Sequence, residues 1–284
     1  MFRKFNRYPL IVCSVLIAGM TGCHNVPVTG RKAVSTVSDE AVVQQSLAEF
    51  EKIKAMNKLT RNQRHIDIVN RVGRRISQAA FWDVPLADWE FVVFDAPKVM
   101  NAFAMSGGKV GVFSGLIEFC ENEDQLASVI AHEIGHVAAK HTNERFSQQM
   151  LIKPVGAVAN AATAVVGTNI GGVPVYAPVN TAGLTGGVGM GTHLQLSWDR
   201  KKELEADHIG LIYMAKAGYD PQEALVLMKR MGEHTAASGG PTMPAWLSNH
   251  PGFPERQVQM MKLMDEALET LKTRGQSAKP TIIE

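Results

Sequence analysis

Cysteine is scarce in this sequence, which contains three: Cys13, Cys23 and Cys120. We expect Cys13 to be removed with a leader and Cys23 to carry a lipid, which leaves Cys120 alone. An intramolecular disulfide is then excluded, whatever the redox state of the compartment. The folded domain must depend on the packing of its hydrophobic residues, 45% of the chain, and on any metal that it binds.

A strong charge of one sign is also lacking. The 29 basic and 27 acidic residues give a formal charge of +2, and three of the basic residues (Arg3, Lys4 and Arg7) lie in the expected leader. Without those three, the rest of the chain carries a formal charge of −1. Because no basic stripe or nucleic-acid-binding motif is present, we expect no nucleic-acid partner.

The sequence lacks an apolar run long enough to cross a bilayer comfortably, which takes about 20 residues. The run Leu10–Ala18 follows three positive charges and precedes small residues, as in an export signal. The segment Met20–Cys23 resembles the bacterial lipobox, in which the cysteine is acylated. We therefore predict a lipoprotein signal peptide at 1–22 and lipidation of Cys23, with an ordinary cleaved signal or an uncleaved anchor as alternatives. His24, where Asp would favour the inner membrane, favours a periplasmic protein anchored at the outer membrane of a bacterium.

The rest of the chain predicts one α+β, predominantly helical domain over residues 39–274. A polar tether (23–38) precedes this domain and a flexible tail (275–284) follows it. Hydrophobic periodicity predicts helices over about 39–58, 60–80, 123–141, 195–217, 220 onward and 254–274, and strands at 89–94, 101–105 and 110–113. Thr60 with Gln63, and Asn122 with Gln125, have the spacing of helix N-caps. The Ala/Val-rich stretch 155–167 could form a helix, and 167–191 is typical of a long functional or flexible loop.

The motif that carries chemistry is His132-Glu133-Ile134-Gly135-His136, inside the strongly apolar helix predicted over 123–141. Side chains four residues apart lie on one helix face, so the two imidazoles can converge on one ion. Glu133 projects to the side, within reach of a water on that ion. This HExxH pattern is typical of zinc hydrolases. The alternative is an incidental match, which is disfavoured because buried imidazoles and carboxylates are costly without a partner.

A catalytic zinc site needs a third protein ligand besides water. Glu203 and Asp207 share one face of a second predicted helix, so Glu203 can complete the site. Asp207 can then accept a hydrogen bond from a ligand histidine. Glu205 lies on another face and is interpreted as a solvated carboxylate. His141, five residues beyond His136, would point about 140° away on the same helix and is interpreted as structural.

Taken together, these motifs resemble the HtpX-, BepA- and LoiP-type gluzincin metallopeptidases, a family that includes the CAAX prenyl proteases and the mitochondrial Oma-type proteases. The resemblance covers about residues 40–270 and includes these further segments: Asn101-Ala-Phe-Ala, Gly107-Gly108-Lys109, His250-Pro251 and Arg256. It implies a gluzincin domain with a small β-sheet beside the HExxH helix.

The resemblance also implies roles for individual residues. One Zn²⁺ per chain would be held by His132, His136 and Glu203, with Glu133 catalytic. His250 would act near the metal, either by blocking the resting site or by stabilising the oxyanion; a plain loop turn before a proline is the alternative.

The function expected from these features is that of a zinc-dependent endopeptidase. Glu133 would take a proton from the zinc-bound water as that water attacks a peptide carbonyl. A free strand edge near Asn101–Met105 or Val110–Phe113 would bind unfolded or misfolded chains as an added strand. We expect quality control of misfolded or unassembled cell-envelope proteins, with the outer-membrane assembly machinery as a candidate partner. A zinc-stabilised chaperone or assembly factor, with a mostly inactive site gated by His250, is an alternative, and zinc hydrolysis of a non-peptide bond is a weaker one.

Overall fold

A computed structural model describes residues 22–152, 168–170, 173–175, 191–237, 246, 249–251 and 253–274. The helices are α1 Asp39–Met56, α2 Gln63–Ala79, α3 Ser114–Phe119, α4 Glu123–Ala138, α5 His141–Ile152, α6 Gly191–Ala217, α7 Gln222–Ala237 and α8 Phe253–Thr273. The strands are β1 Cys23–Asn25, β2 Lys32–Val34, β3 Glu90–Phe94, β4 Ala102–Met105, β5 Lys109–Phe113, β6 Thr168–Ile170 and β7 Val173–Val175. The predicted α+β, predominantly helical class is confirmed. No helix among these residues is both long and apolar enough to cross a membrane.

The central sheet has three strands in the order β3-β5-β4, with β3 parallel and β4 antiparallel to β5. The middle strand β5 is buried along its whole length. The expectation of a free edge at Val110–Phe113 is therefore wrong, because that strand is paired on both sides. β4 instead forms one edge of this sheet. Gly107 and Gly108 join β4 to β5 with φ values of +88° and +82°, a region that side chains with a Cβ rarely adopt.

Helix α4 lies in the middle of the domain and carries the HExxH motif. Its predicted start is confirmed, since the Asn122 side chain accepts a hydrogen bond of 2.8 Å from the backbone N–H of Gln125. Leu126 and Ile130 on this helix are fully buried. The helix ends at Ala138, earlier than predicted, because the chain turns sharply at Lys140, where φ is +55°.

The second helix also begins differently from the prediction. Asn62, not Thr60, is the N-cap of α2, and its side chain accepts hydrogen bonds from the backbone N–H groups of Arg64 and His65. The Thr60 hydroxyl accepts instead from the backbone N–H of Asn62 at 3.1 Å, so both polar residues stabilise the turn before the helix.

Helices α4 and α6 cross closely, and glycine makes this approach possible. A Cβ on Gly135 of α4 would lie 2.9 Å from the carbonyl oxygen of Ala206, and one on Gly210 of α6 would lie 3.1 Å from the backbone nitrogen of His132. Real Cβ atoms essentially never come closer than 3.0 Å to another heavy atom. The absence of side chains at these two positions therefore sets the spacing between the two helices that carry the candidate ligands.

The segment 23–38, predicted to be a tether, contains an ordered hairpin. Strands β1 and β2 pair antiparallel, and we call residues 22–35 the N-terminal hairpin. Val26 and Ala33 are buried against the domain, and the backbone N–H of Thr36 donates to the hydroxyl of Ser147 on α5 at 2.8 Å. Apolar residues at these two positions give the hairpin a face to bury, which a solvated tether would not have.

The segment predicted as a loop over 167–191 contains the strands β6 and β7, which pair antiparallel. The candidate helix at 155–167, residues 1–21 of the predicted leader and the tail 275–284 lie outside the described residues.

Candidate metal centre

Four side chains from three parts of the chain converge beside α4. His132 and His136 come from α4, Glu203 comes from α6, and His250 comes from the segment before α8. One ligand atom from each lies within 4.8 Å of the others. The Nε2 atoms of the two α4 histidines are 3.0 Å apart, and the oxygens of Glu203 lie 3.2 Å from Nε2 of His132 and 3.3 Å from Nε2 of His136.

This arrangement fits a metal ion. In a tetrahedral zinc site with metal–ligand bonds of about 2.0–2.1 Å, neighbouring donor atoms are separated by about 3.3 Å. The two histidine nitrogens are near that spacing at 3.0 Å, and each has a Glu203 oxygen at a similar distance: Oε2 lies 3.2 Å from His132 and Oε1 lies 3.3 Å from His136. His132 and Glu203 are also only 2% and 5% exposed, and a shared cation compensates the cost of burying such groups. The donors are imidazole nitrogens and carboxylate oxygens, a set that binds zinc and other divalent transition metals.

Nδ1 of His132, the ring nitrogen that does not face Glu203, contacts a buried ion pair between Asp207 and Arg256. Nδ1 of His132 lies 2.8 Å from Oδ1 of Asp207, and the Arg256 guanidinium donates to both Asp207 oxygens at 2.7 Å. Burial alone would raise the pKa of Asp207, but the charge of Arg256 and the hydrogen bond with His132 lower it. An ionised Asp207 keeps the proton of His132 on Nδ1, which leaves the Nε2 lone pair directed into the site.

The outer nitrogen of His136 has a partner that contradicts the sequence interpretation. Nδ1 of His141 lies 2.7 Å from Nδ1 of His136, so His141 does not point away. The reason is that α4 ends at Ala138, and the turn at Lys140 brings the start of α5 back toward α4. Burial is the largest cause that lowers the pKa of His141, to about 3, so the ring is neutral near pH 7.

Glu205 is not the solvated carboxylate expected from its helix face, because its side chain is 8% exposed. Oε2 of Glu205 lies 2.9 Å from Nε2 of His141, and Arg31 of the N-terminal hairpin donates to Glu205 through Nε at 2.8 Å and Nη2 at 2.7 Å. Burial would raise the pKa of Glu205, but hydrogen bonds from His141, Arg31 and Thr29 lower it to about 2. The hairpin covers this face of α6, which the sequence did not reveal.

Glu133 lies next to the four converging side chains. Its Oε1 accepts a hydrogen bond of 2.9 Å from the indole N–H of Trp246 and lies 3.2 Å from Nε2 of His250. Burial would raise the pKa of Glu133, but the charge of His250 and its hydrogen bond lower it to about 2. Sequence reasoning missed Trp246. The backbone N–H of His250 donates to the Trp246 carbonyl at 2.9 Å. The four-residue interval between Trp246 and His250 is the signal in the sequence that could have found it.

His250 is the fourth of the converging side chains. Its Nδ1 lies 3.0 Å from Oε2 of Glu203 and 3.2 Å from Nε2 of His132. Burial would lower the pKa of His250, but the carboxylates of Glu203 and Glu133 raise it to about 10. The backbone carbonyl of His250 accepts a hydrogen bond of 2.9 Å from Arg256, which fixes the segment above the site.

Comparison with known proteins gives one family and several relatives. The model of Peptidase family M48 matches residues 63–263. The mitochondrial metalloendopeptidase OMA1 of Saccharomyces cerevisiae is 32% identical over 212 residues, which are 71% of this chain and 56% of that protein. The beta-barrel assembly-enhancing protease of Escherichia coli K12 is 28% identical over 272 residues, 91% of this chain and 52% of that protein. The OMA1 protein of Arabidopsis thaliana is 32% identical over 182 residues, 63% of this chain and 33% of that protein. The chain thus spans about half the length, or less, of these relatives.

Proposed function

Because this chain belongs to peptidase family M48, we propose that it is a zinc-dependent endopeptidase whose metal is held by His132, His136 and Glu203. The observation that carries the proposal is the convergence of their donor atoms at separations of 3.0–3.3 Å. A zinc ion in this position would polarise a peptide carbonyl and lower the pKa of water toward about 7.

Glu133 supplies the proton transfer in this proposal. Glu133 is ionised near pH 7, so its carboxylate can accept a proton from the attacking water. The hydrogen bond from Trp246 fixes the orientation of the carboxylate. Glu133 then returns the proton to the leaving amine. His250, whose Nε2 lies 3.2 Å from Glu133, can donate an N–H hydrogen bond to the negative charge that develops on the carbonyl oxygen.

The edge of β4 is where we place the substrate chain. The carbonyl of Asn101 accepts from the backbone N–H of Phe113 at 3.0 Å, and backbone groups of successive residues in an antiparallel pair alternate in direction. Ala102 and Ala104 therefore turn their backbone groups away from β5. Ala102 is buried, whereas Ala104 is partly exposed and can pair with an extended peptide. Main-chain pairing does not read side chains, which suits a protease of misfolded or unfolded proteins.

We further propose that the chain acts in the cell envelope of a bacterium, on misfolded or unassembled proteins. Support comes from the signal-like leader 1–22, from Cys23, which is exposed at the start of the N-terminal hairpin, and from a relative named as a beta-barrel assembly-enhancing protease. A lipid on Cys23 would hold the enzyme in the periplasm at the outer membrane. The outer-membrane assembly machinery is the partner that this location favours.

The test of the mechanism is the Glu133→Gln variant, with Glu123→Gln as its control. Glu123 lies on the same helix and is buried, but it pairs with Arg71 away from the site. We expect Glu133→Gln to keep its zinc and to lose about 10²–10⁴-fold in the rate of casein cleavage, the range that general acid–base groups contribute. The control should cleave normally. Full casein cleavage by Glu133→Gln would refute the mechanism.

The position of His250 favours a second candidate, a chaperone or assembly factor with a gated protease site. All four donor groups lie within 4.8 Å of one another, and a site closed by four protein ligands is typical of structural zinc, whereas catalytic sites keep one position for water. His250→Ala distinguishes the two candidates. Faster cleavage would indicate a gated enzyme, slower cleavage a role in stabilising the oxyanion, and no change with intact zinc a binding protein.

A further inference from the structure

We propose that Arg31, Glu205 and His141 form a positioning relay for His136, which makes the N-terminal hairpin a working part of the metal centre. The inference rests on the proposed zinc site. It assigns these three residues no contact with substrate or metal: they act by orienting one ligand.

The relay is a continuous chain of short contacts. Arg31 donates hydrogen bonds to the Glu205 carboxylate from Nε at 2.8 Å and from Nη2 at 2.7 Å. The hydroxyl of Thr29, in the same hairpin, donates a further hydrogen bond of 2.8 Å to Oε1 of Glu205. Oε2 of Glu205 lies 2.9 Å from Nε2 of His141, and Nδ1 of His141 lies 2.7 Å from Nδ1 of His136. Each contact is short enough to be a hydrogen bond.

The protons along this chain can be assigned in one consistent direction. A carboxylate only accepts, so Nε2 of His141 must carry a proton that it donates to Glu205. Neutral His141 then has a bare Nδ1, which accepts the proton on Nδ1 of His136. That arrangement leaves the Nε2 lone pair of His136 free for the metal, the tautomer that a ligand histidine requires.

The two ligand histidines are thus supported in parallel ways. His132 is hydrogen-bonded to Asp207, which in turn accepts a hydrogen bond from Arg256 of α8. His136 is hydrogen-bonded to His141, and His141 is hydrogen-bonded to Glu205. Glu205 in turn accepts a hydrogen bond from Arg31 of the hairpin. Arg256 is buried, whereas the side chain of Arg31 is 39% exposed. The relay that supports His136 therefore reaches the surface at Arg31. Arg31 lies eight positions after Cys23, the residue expected to carry the lipid.

The structure offers a matched control for this relay in Glu144. Arg31 pairs with Glu144 as well as with Glu205, and both carboxylate side chains are 8% exposed. Only Glu205 also contacts His141. A purely structural role for the ion pairs of Arg31 predicts that the loss of either carboxylate lowers stability and leaves zinc binding unchanged. The relay predicts that only Glu205 matters to the metal.

The test compares Glu205→Gln with Glu144→Gln in the full chain. We expect zinc affinity, measured by competition with a chelator, to fall about tenfold in Glu205→Gln, as when other groups that orient metal ligands are lost. Glu144→Gln should bind zinc as the wild type does. The visible absorption bands of the cobalt(II)-substituted protein, which report ligand geometry, should change in Glu205→Gln alone. Thermal unfolding of the metal-free proteins provides the folding readout. Glu205→Gln should be destabilised more than Glu144→Gln, because Glu205 contacts Thr29 and His141 as well as Arg31.

Equal zinc affinities and identical cobalt spectra for the two variants would overturn the relay. A wild type that binds zinc while Glu205→Gln binds it equally well would refute the relay alone, whereas a wild type that binds no zinc would refute both the metal site and the relay. Arg31→Lys tests whether the bidentate hydrogen bonding of Arg31 to Glu205 matters. Lysine keeps the positive charge but cannot form the bidentate pair, so the zinc affinity of this variant should lie between those of the wild type and Glu205→Gln.

Discussion

Replacing Gly135 by alanine tests whether the close crossing of α4 and α6 sets the geometry of the metal centre. The new Cβ would lie 2.9 Å from the carbonyl oxygen of Ala206, whereas ordinary contact begins at 3.4 Å, so the two helices must move apart by about 0.5 Å. Ligand distances in metal sites tolerate about 0.2 Å. We therefore expect zinc affinity to fall by about tenfold or more, on the scale seen when ligand orientation is disturbed.

Two opposing effects decide the stability of the metal-free Gly135→Ala protein. Alanine is favoured over glycine in a helix interior by about 1 kcal/mol, whereas overpacking of a well-packed contact costs about 1–3 kcal/mol. The expected net result is a loss of up to about 2 kcal/mol in the free energy of unfolding, measured with urea. Gly210→Ala meets the backbone nitrogen of His132 at 3.1 Å, so its effects should have the same sign and be smaller.

The result that would refute this reasoning is a Gly135→Ala protein with the zinc affinity of the wild type and a free energy of unfolding higher by about 1 kcal/mol. Helix propensity would then be the only effect of the substitution, and the spacing of the two helices would not depend on glycine.

Three further predictions concern buried side chains of the domain. Asp207→Asn should weaken zinc binding about 10–100-fold, because His132 loses an anionic partner; chelator competition measures this, and an unchanged affinity would contradict it. The pKa of Glu205 is about 2 when folded and about 4.3 when unfolded, so its stabilising contribution is complete above pH 4.3 and is lost as the pH falls toward 2. Urea unfolding of metal-free Glu205→Gln should accordingly depend less on pH between 5 and about 2, and a slope identical to that of the wild type would exclude this contribution. Burial raises the pKa of Cys120 to about 12, so a thiol reagent should react with it only after unfolding; rapid labelling of Cys120 in the native protein would count against its burial.

Much of the site could be anticipated from local spacing. The four-residue interval in HExxH and the same interval between Glu203 and Asp207 place side chains on single helix faces, and helical geometry is independent of the rest of the fold. The structure accordingly brings His132, His136 and Glu203 together. The family resemblance drawn from these motifs is confirmed by the match over residues 63–263.

The remaining features depend on contacts between residues far apart in the sequence, which no local pattern encodes. Arg31 and Glu205 are 174 positions apart, and nothing in either segment predicted that they would meet. The turn at Lys140 is a local feature, but it reverses the interpretation of His141, because a helix continued by one more turn would direct that ring away from His136. The buried face of the N-terminal hairpin likewise became evident only with the domain against which it packs.

The most direct test of the central claim is the zinc X-ray absorption spectrum of the full-length, zinc-loaded protein. If His132, His136 and Glu203 hold the ion, the spectrum should show a first shell of nitrogen and oxygen at about 2.0–2.1 Å, with the outer scattering of imidazole rings. A sulfur shell at about 2.3 Å, or a spectrum without imidazole scattering, would contradict the assignment of these ligands.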